Sequence, residues 1–246
     1  MEFSTFEKIS IMKKLLIAST STIYGKPYLT YILPELAKFF NGVTEIVFIP
    51  YARPSGISHD EYTKIAGEAF EKISIKVKGI HEFTDPIEAL QQAKGIFCGG
   101  GNTFVLLNAL YKHKLLSALK NAINHGTPYF GTSAGSNITG QSIKTTNDMP
   151  IVYPPSFDAL GVLNFNINPH YLDPVEGSKH MGETRETRIK EFLTQNELPV
   201  LGLREGSWLE VNDVEVRLKG SLNARLFLPG KPPQELPPET DLTFLG

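Results

Sequence analysis

A serine framed by glycines is the feature of the sequence that points most directly to chemistry. Gly131, Ser133 and Gly135 form a G-x-S-x-G pattern. The pattern follows an apolar segment typical of a buried strand, residues 128–131, and precedes a segment that can open a helix. This strand–turn–helix context is the one that a nucleophile elbow requires. The serine hydroxyl would then project above the end of the sheet, where the N–H of Ala134 could stabilise an oxyanion. The competing interpretation is a glycine-rich turn with an incidental serine.

A serine nucleophile needs a base, and His170 is the best placed of the six histidines. It follows a short apolar segment that ends in Pro169. We therefore expect His170 at a strand end, where the sites of open α/β sheets gather. His180, in a polar loop, is the alternative base.

Two carboxylates have loop contexts suited to orienting the imidazole of such a base. Asp148 lies in the polar segment 145–150, and Glu205 follows an apolar strand and precedes Gly206. Residue spacing alone leaves both open, and either could be a solvated loop residue. Glu205 has the better topological position, because a strand end beside a glycine is also the setting of Ser133.

Three consecutive glycines, Gly99-Gly100-Gly101, follow Cys98 at the end of another apolar segment. They permit a tight strand-to-helix turn with uncovered N–H groups. The chain has no phosphate-loop or dinucleotide-binding glycine pattern, so nucleotide binding has little support. It also lacks an H-E-x-x-H motif and paired Cys/His spacings, so we expect neither a metal site nor a cofactor.

Alternating strand and helix patterns must position these residues. Short apolar runs predict buried strands, and segments of helical period lie between them. The alternation predicts an α/β fold, a mostly parallel sheet with helices on both faces. The predicted strands are residues 15–18, 45–49, 75–77, 95–98, 128–131 and 199–203, and the predicted helices are 28–40, 59–73, 104–110, 115–123 and 182–193. Pro34 should mark the start of the first helix or a kink in it. Short alternating runs at 208–211, 214–218 and 224–228 predict a small antiparallel C-terminal extension of the sheet.

The composition excludes several classes of protein. The chain has 246 residues, 41% of them apolar and 20% charged, with a formal net charge of -2. It is therefore neither disordered nor attractive to nucleic acid. No apolar run is long enough for a membrane span, and one cysteine excludes a disulfide scaffold. We expect a cytoplasmic protein with one domain over residues 1–246, in which 1–11 extend the fold at the N-terminus and 229–246 form an extended, proline-rich tail.

Six blocks of the sequence, in order, resemble the peptidase E family, the cytosolic α-aspartyl dipeptidases among the S51 serine peptidases. The blocks are residues 99–104, 131–137, 145–152, 167–170, 182–186 and 205–206, and the resemblance runs from about residue 13 to about residue 228. It implies a flavodoxin-like sheet similar to the class I glutamine amidotransferase domain, with Ser133 as nucleophile and His170 as base. The family's third member has been assigned to positions that match both Asp148 and Glu205, and we favour Glu205.

The resemblance also implies a substrate class: dipeptides with an N-terminal aspartate, cleaved through an acyl-enzyme without a metal. Gly100 or Gly101 would then join the N–H of the serine elbow as oxyanion donors. Arg185 is the candidate partner of the aspartyl carboxylate, since a guanidinium forks onto a carboxylate. Its alternative role is a surface ion pair. Asp148 or Glu183 could bind the free amino group.

Three other functions compete with the dipeptidase. An amidotransferase normally carries cysteine at the elbow, where Ser133 stands, and Cys98 is expected to be a buried strand residue. A cyanophycinase-like hydrolase of the same family would act on a branched polymer. A small-molecule-binding module on the same fold would keep the pocket without catalysis. Beyond a small peptide substrate the sequence indicates no partner, and it leaves the oligomeric state open.

Overall fold

The computed structural model describes residues 13–54, 56–174, 177, 179 and 181–245. The predicted N-terminal extension, residues 1–11, and the alternative base His180 lie outside this set. The strands within it are β1 Lys14–Ala18, β2 Glu45–Ile49, β3 Lys76–Gly79, β4 Ile96–Cys98, β5 Tyr129–Thr132, β6 Asn166–Pro169, β7 Val200–Leu203, β8 Ser207–Asn212, β9 Glu215–Gly220, β10 Ala224–Phe227 and β11 Gln234–Leu236. The helices are α1 Leu33–Phe39, α2 His59–Glu71, α3 Pro86–Gln92, α4 Thr103–Lys112, α5 Leu116–Asn124, α6 Ala134–Asn137 and α7 Arg185–Leu193.

The main sheet has seven strands in the order β3-β2-β4-β5-β1-β8-β9. Its first five strands are parallel. They follow the flavodoxin-like order 2-1-3-4-5, with the N-terminal strand β1 in the place of the fifth strand. The predicted fold class is therefore confirmed. The first described strand of the chain occupies the position that the last strand has in the flavodoxin-like order.

A second sheet of four strands has the order β11-β10-β7-β6. Within it β6 and β7 are parallel, whereas β10 is antiparallel to both β7 and β11. The predicted antiparallel extension of the main sheet is confirmed for β8 and β9. It is wrong for β10, which pairs with β7 instead. Alternating burial reveals which face of a strand is inward but not which strand lies beside it.

The core lies on both faces of the main sheet, because successive side chains of a strand point to opposite faces. Leu15 and Ile17 of β1 belong to one buried cluster, which α3, α4 and α5 cover. Leu16 and Ala18 belong to the other, beneath α1 and α2. Helices on both faces are thus confirmed. Across residues 13–54, 56–174 and 181–245, none of the helices has the length and apolar character needed to cross a bilayer.

The helix boundaries follow local signals. α1 begins at Leu33, with Pro34 in its first turn, as the position of that proline predicts. α2 begins after Ser58, whose hydroxyl accepts a hydrogen bond from the N–H of Glu61 in a complete capping box. α3 is a short helix that the periodicity did not predict, although Asp85 caps it and a proline opens it.

The C-terminal segment is tied to both sheets. Within residues 229–245, β11 pairs with β10. The N–H of Leu242 donates to the carbonyl of Val216 in β9 at 2.7 Å. Leu242 and Leu245 are buried in the cluster that includes Ile17. This proline-rich segment therefore packs against the sheets that carry the candidate site.

Candidate active site

Ser133 stands at a sharp turn between β5 and α6. Its backbone has φ 52° and ψ -109°, a conformation that costs a non-glycine residue free energy. The turn is held because the Ser133 N–H donates to the carbonyl of Ala18 at 3.2 Å. A side chain on Gly135 would overlap the Cys98 carbonyl, and a Cβ on Gly131 would lie 2.7 Å from the Gly135 carbonyl oxygen. The glycines of the G-x-S-x-G pattern are therefore needed for packing around the elbow.

His170 lies at the end of β6, and its imidazole faces Ser133. Its Nε2 is 2.9 Å from the Ser133 Oγ, and its Nδ1 is 2.7 Å from the Glu205 Oε1. Glu205 lies beside His170 because β7, which is parallel to β6, ends at Leu203. Gly206, with φ 93°, turns the chain directly after Glu205. The structure thus brings three of the predicted site residues into one chain of hydrogen bonds.

Ser19, which follows β1, holds the base in place. Its hydroxyl is fully buried, accepts a hydrogen bond from the His170 N–H at 2.9 Å and donates one to the Leu203 carbonyl at 2.8 Å. His170 has φ 53°, so its backbone needs such support. Sequence reasoning missed Ser19. Its position directly after a buried strand, at the edge where the glycine sites gather, is the signal that could have found it.

Asp148 forms no hydrogen bond or ion pair with His170. Its Oδ2 accepts hydrogen bonds from the N–H and hydroxyl of Thr103 at 2.7 and 2.6 Å, and from the hydroxyl of Thr146 at 3.1 Å. Thr103 is the first residue of α4, so the carboxylate satisfies an N–H at the positive end of that helix. Of the two predicted carboxylates, Glu205 is therefore the one beside His170.

The predicted oxyanion donors lie around the elbow. Gly100 faces it so closely that a Cβ there would be 2.9 Å from the Cβ of Ser133. The Tyr62 hydroxyl donates to the Gly100 carbonyl at 3.1 Å and fixes the orientation of the loop. Among the hydrogen bonds of the described residues, the N–H groups of Gly100, Gly101 and Ala134 donate to no partner. These three groups are available to a negatively charged oxygen.

Arg185 and Glu183 flank the start of α7, but they are placed differently. Arg185 is half-buried, and burial together with the charge of Arg188 lowers its pKa, while the charge of Asp148 opposes that change. Arg185 and Asp148 are thus within electrostatic range of each other. Glu183 is exposed, and its Oε2 lies 3.7 Å from the Nε of Arg188. The surface ion pair considered for Arg185 is formed by Arg188 instead.

Cys98 is the fully buried last residue of β4. Burial raises the pKa of its thiol to about 12. A thiol that stays protonated at neutral pH is a poor nucleophile. The prediction that Cys98 is a buried strand residue is confirmed.

The chain is similar to known peptidases over most of its length. The model of peptidase family S51 matches residues 15–219. The chain is 49% identical over 231 residues to peptidase E of Streptomyces coelicolor, covering 94% of each chain. It is 46% identical over 236 residues to a probable alpha-aspartyl dipeptidase of Drosophila melanogaster, covering 95% of this chain and 97% of that one.

The chain belongs to peptidase family S51. This S51 peptidase is therefore an enzyme of the serine type, as the sequence predicted. A solved peptidase from an acI-B1 actinobacterium has the same fold, with a TM-score of 0.70 at 17% identity, and covers 95% of this chain. In that comparison 98% of the solved chain is matched, so the fold is shared over nearly its whole length.

Proposed function

We propose that this S51 peptidase hydrolyses dipeptides with an N-terminal aspartate, with Ser133 as its nucleophile. The observation that carries the proposal is the chain of hydrogen bonds from the Ser133 hydroxyl through His170 to Glu205. A nucleophile, a base and a group that orients the base are the parts that acyl transfer needs. The name of the Drosophila relative, a probable alpha-aspartyl dipeptidase, supplies the substrate class.

The reaction begins when the Ser133 Oγ attacks the carbonyl carbon of the substrate's aspartyl residue. His170 Nε2 accepts the hydroxyl proton, and Glu205 stabilises the imidazolium that forms. The N–H of Ala134 and one from Gly100 or Gly101 bind the oxyanion. When the C–N bond breaks, His170 returns the proton to the leaving amine. Water, deprotonated by His170, then attacks the acyl-enzyme and releases aspartate.

Substrate recognition is assigned to Arg185 and Asp148, two opposite charges within electrostatic range of each other. Arg185 would bind the side-chain carboxylate of the substrate, because two parallel N–H···O bonds match that group. Asp148 would face the free ammonium group, a role for which Glu183 is less suited because it pairs with Arg188. Arg185 and Asp148 would thus read the two features that distinguish an N-terminal aspartate.

The test uses three peptides: Asp-Leu, Glu-Leu and N-blocked Asp-Leu. We expect the wild type to cleave Asp-Leu in preference to the other two, and Ser133→Ala to cleave none while keeping its melting temperature. Full activity of Ser133→Ala would refute the serine mechanism. A folded wild type that cleaves none of the peptides would favour a polymer substrate or a binding module.

We also propose that residues 13–245 act as one catalytic domain in the cytoplasm. One hydrophobic cluster contains Ile17 of the main sheet together with Ile167, Leu201 and Leu226 of the second, which supports a single folding unit. The single cysteine is buried and free, as is common in reducing compartments. Limited proteolysis that released one sheet as a stable fragment would contradict the single domain.

A further inference from the structure

Arg204, the residue before Glu205, uses all five of its N–H groups. Its Nε and Nη2 donate to the two oxygens of Asp173 at 2.8 and 2.7 Å. Its Nη1 and Nη2 donate to the two oxygens of Glu235 at 3.0 and 2.9 Å. The remaining Nη1 hydrogen goes to the carbonyl of Asn223 at 2.7 Å. The guanidinium therefore has one fixed orientation, set by two forked carboxylates.

This arrangement joins the two segments that carry the base and its orienting carboxylate. Asp173 follows His170 by three residues, and Arg204 directly precedes Glu205. The guanidinium of Arg204 also lies 5.4 Å from the ring centre of Tyr171, the residue after His170. The Tyr171 N–H donates to the Leu203 carbonyl at 3.0 Å. The loop after β6 is thus tied to the turn after β7.

Glu235 extends the same network to the helix that carries Arg185. Its Oε1, which accepts from Arg204, also accepts from the Nη1 of Arg225 at 2.8 Å. The Nη2 of Arg225 donates to the Oε2 of Glu186 at 2.8 Å, and Glu186 follows Arg185 in the first turn of α7. The Glu235 carboxylate on β11 therefore links Arg204, beside Glu205, to Arg225, which contacts the helix that carries Arg185.

Glu235 lies beyond the part of the chain that the family model matches, residues 15–219. The tail that carries it is the segment for which the sequence offered no function. Single exposed ion pairs contribute little to stability, but forked arginine–carboxylate pairs joined in a network hold a defined geometry. With 15% of the Arg204 side chain exposed, this network is partly shielded from solvent.

We propose that Glu235 is a positioning residue, which sets the His170–Glu205 geometry through Arg204 and the placement of Arg185 through Arg225 and Glu186. The inference rests on the roles given above to Ser133 and Arg185. Displacements near 1 Å from changes remote from the chemistry can cost about a hundredfold in rate. Removal of Glu235 should therefore weaken both the triad and substrate binding, by about tenfold each.

The experiment compares Glu235→Ala with Glu239→Ala. Glu239 is the matched control, since it is a carboxylate of the same tail whose side chain, among the described residues, pairs with Lys219 alone, at 2.6 Å. Three quantities are measured: the rate at which a fluorophosphonate labels Ser133, the KM for Asp-Leu, and amide hydrogen exchange. We expect Glu235→Ala to be labelled about ten times more slowly and to have a KM about ten times higher. The control should match the wild type in both.

Two further variants separate the contacts near His170 and Glu205 from those near Arg185. Asp173→Asn should slow labelling with little change in KM. Arg225→Gln should raise KM with little change in labelling. A general loss of stability would not produce this split, because it would lower the active fraction alike in both variants. Equal losses in both assays for both variants would overturn the proposal, as would wild-type values for Glu235→Ala.

Amide hydrogen exchange tests the positioning role of Glu235 independently of the proposed substrate. Peptides that contain residues 170–174 and 185–193 should exchange faster in Glu235→Ala, whether or not Asp-Leu is the substrate. Labelling of Ser133 likewise requires no aspartyl peptide. Failure to cleave Asp-Leu with these two effects intact would reject the substrate and leave the positioning role supported. Unchanged exchange in both segments would overturn the positioning role.

Discussion

Glu205→Gln removes a charge from the site while keeping an oxygen that can accept the hydrogen bond from His170 Nδ1, 2.7 Å away. The negative charge matters because His170 becomes an imidazolium each time it takes the serine proton. Two unit charges about 4 Å apart interact by about 1 kcal/mol in water and about 4 kcal/mol at an effective dielectric constant of 20.

The exposure of the pair decides between these limits. The side chains of His170 and Glu205 are 35% and 46% exposed, so solvent screens them in part. We take an intermediate value of about 2–3 kcal/mol, which corresponds to a fall in kcat/KM of roughly 30- to 150-fold. The second-order rate of fluorophosphonate labelling at Ser133 should fall by a similar factor, since it uses the same base.

Asp148→Asn provides the contrast for this prediction. It weakens the contact with Thr103 at the start of α4, which should lower stability by about 1 kcal/mol. It leaves the His170–Glu205 pair intact, so labelling of Ser133 should stay close to the wild-type rate. Slow labelling of Asp148→Asn together with normal labelling of Glu205→Gln would refute the assignment of Glu205 as the orienting carboxylate.

Three further predictions concern the oxyanion loop, substrate choice and pH. Gly100→Ala puts a methyl group 2.9 Å from the nucleophile's Cβ and should lower kcat by about a hundredfold, as loss of an oxyanion donor does; Gly67→Ala, with open space around it, is the control. Arg185→Ala should raise the KM for Asp-Leu by about 10- to 100-fold and abolish the preference for aspartate, whereas Arg188→Ala should not. Burial alone would raise the pKa of Glu235, but hydrogen bonds from two arginines outweigh it and hold the value below 4.5. The stabilisation from this carboxylate is therefore complete above pH 4.5 and is lost as the pH falls through the lowered pKa. The difference in Tm between the wild type and Glu235→Gln should accordingly close on acidification.

Each of these predictions has a contradicting result. Wild-type kcat in Gly100→Ala would remove the glycine loop from the oxyanion site. An unchanged preference in Arg185→Ala would reject the specificity assignment. A Tm difference that stays constant from neutral pH to pH 3 would show that the charge of Glu235 does not stabilise the fold.

The elbow and the parallel sheet could be predicted because their signals are local. The glycines around Ser133 are separated by fixed spacings and follow one apolar run, so a short window of sequence contains the whole turn. The repeated alternation of strand and helix patterns likewise implies right-handed crossovers and parallel strands. These features needed no knowledge of distant contacts.

The choice between Asp148 and Glu205 could not be made in this way. Both lie in loops that could carry an orienting carboxylate, and the decision depends on β6 and β7 lying side by side in a second sheet. The same limit applies to β10, whose alternation fits either sheet, and to Ser19, which acts by contacts with residues more than a hundred positions away. Such pairings depend on tertiary packing, which a periodic pattern does not encode.

The most direct test of the account is the site of covalent modification. The wild type is incubated with a fluorophosphonate until Asp-Leu cleavage falls, and the modified residue is identified by peptide mass spectrometry. We expect one phosphonyl group, on Ser133, with activity lost in proportion to its occupancy and no label in Ser133→Ala. Inactivation with the label on another residue, or full cleavage by protein in which Ser133 is completely modified, would contradict it.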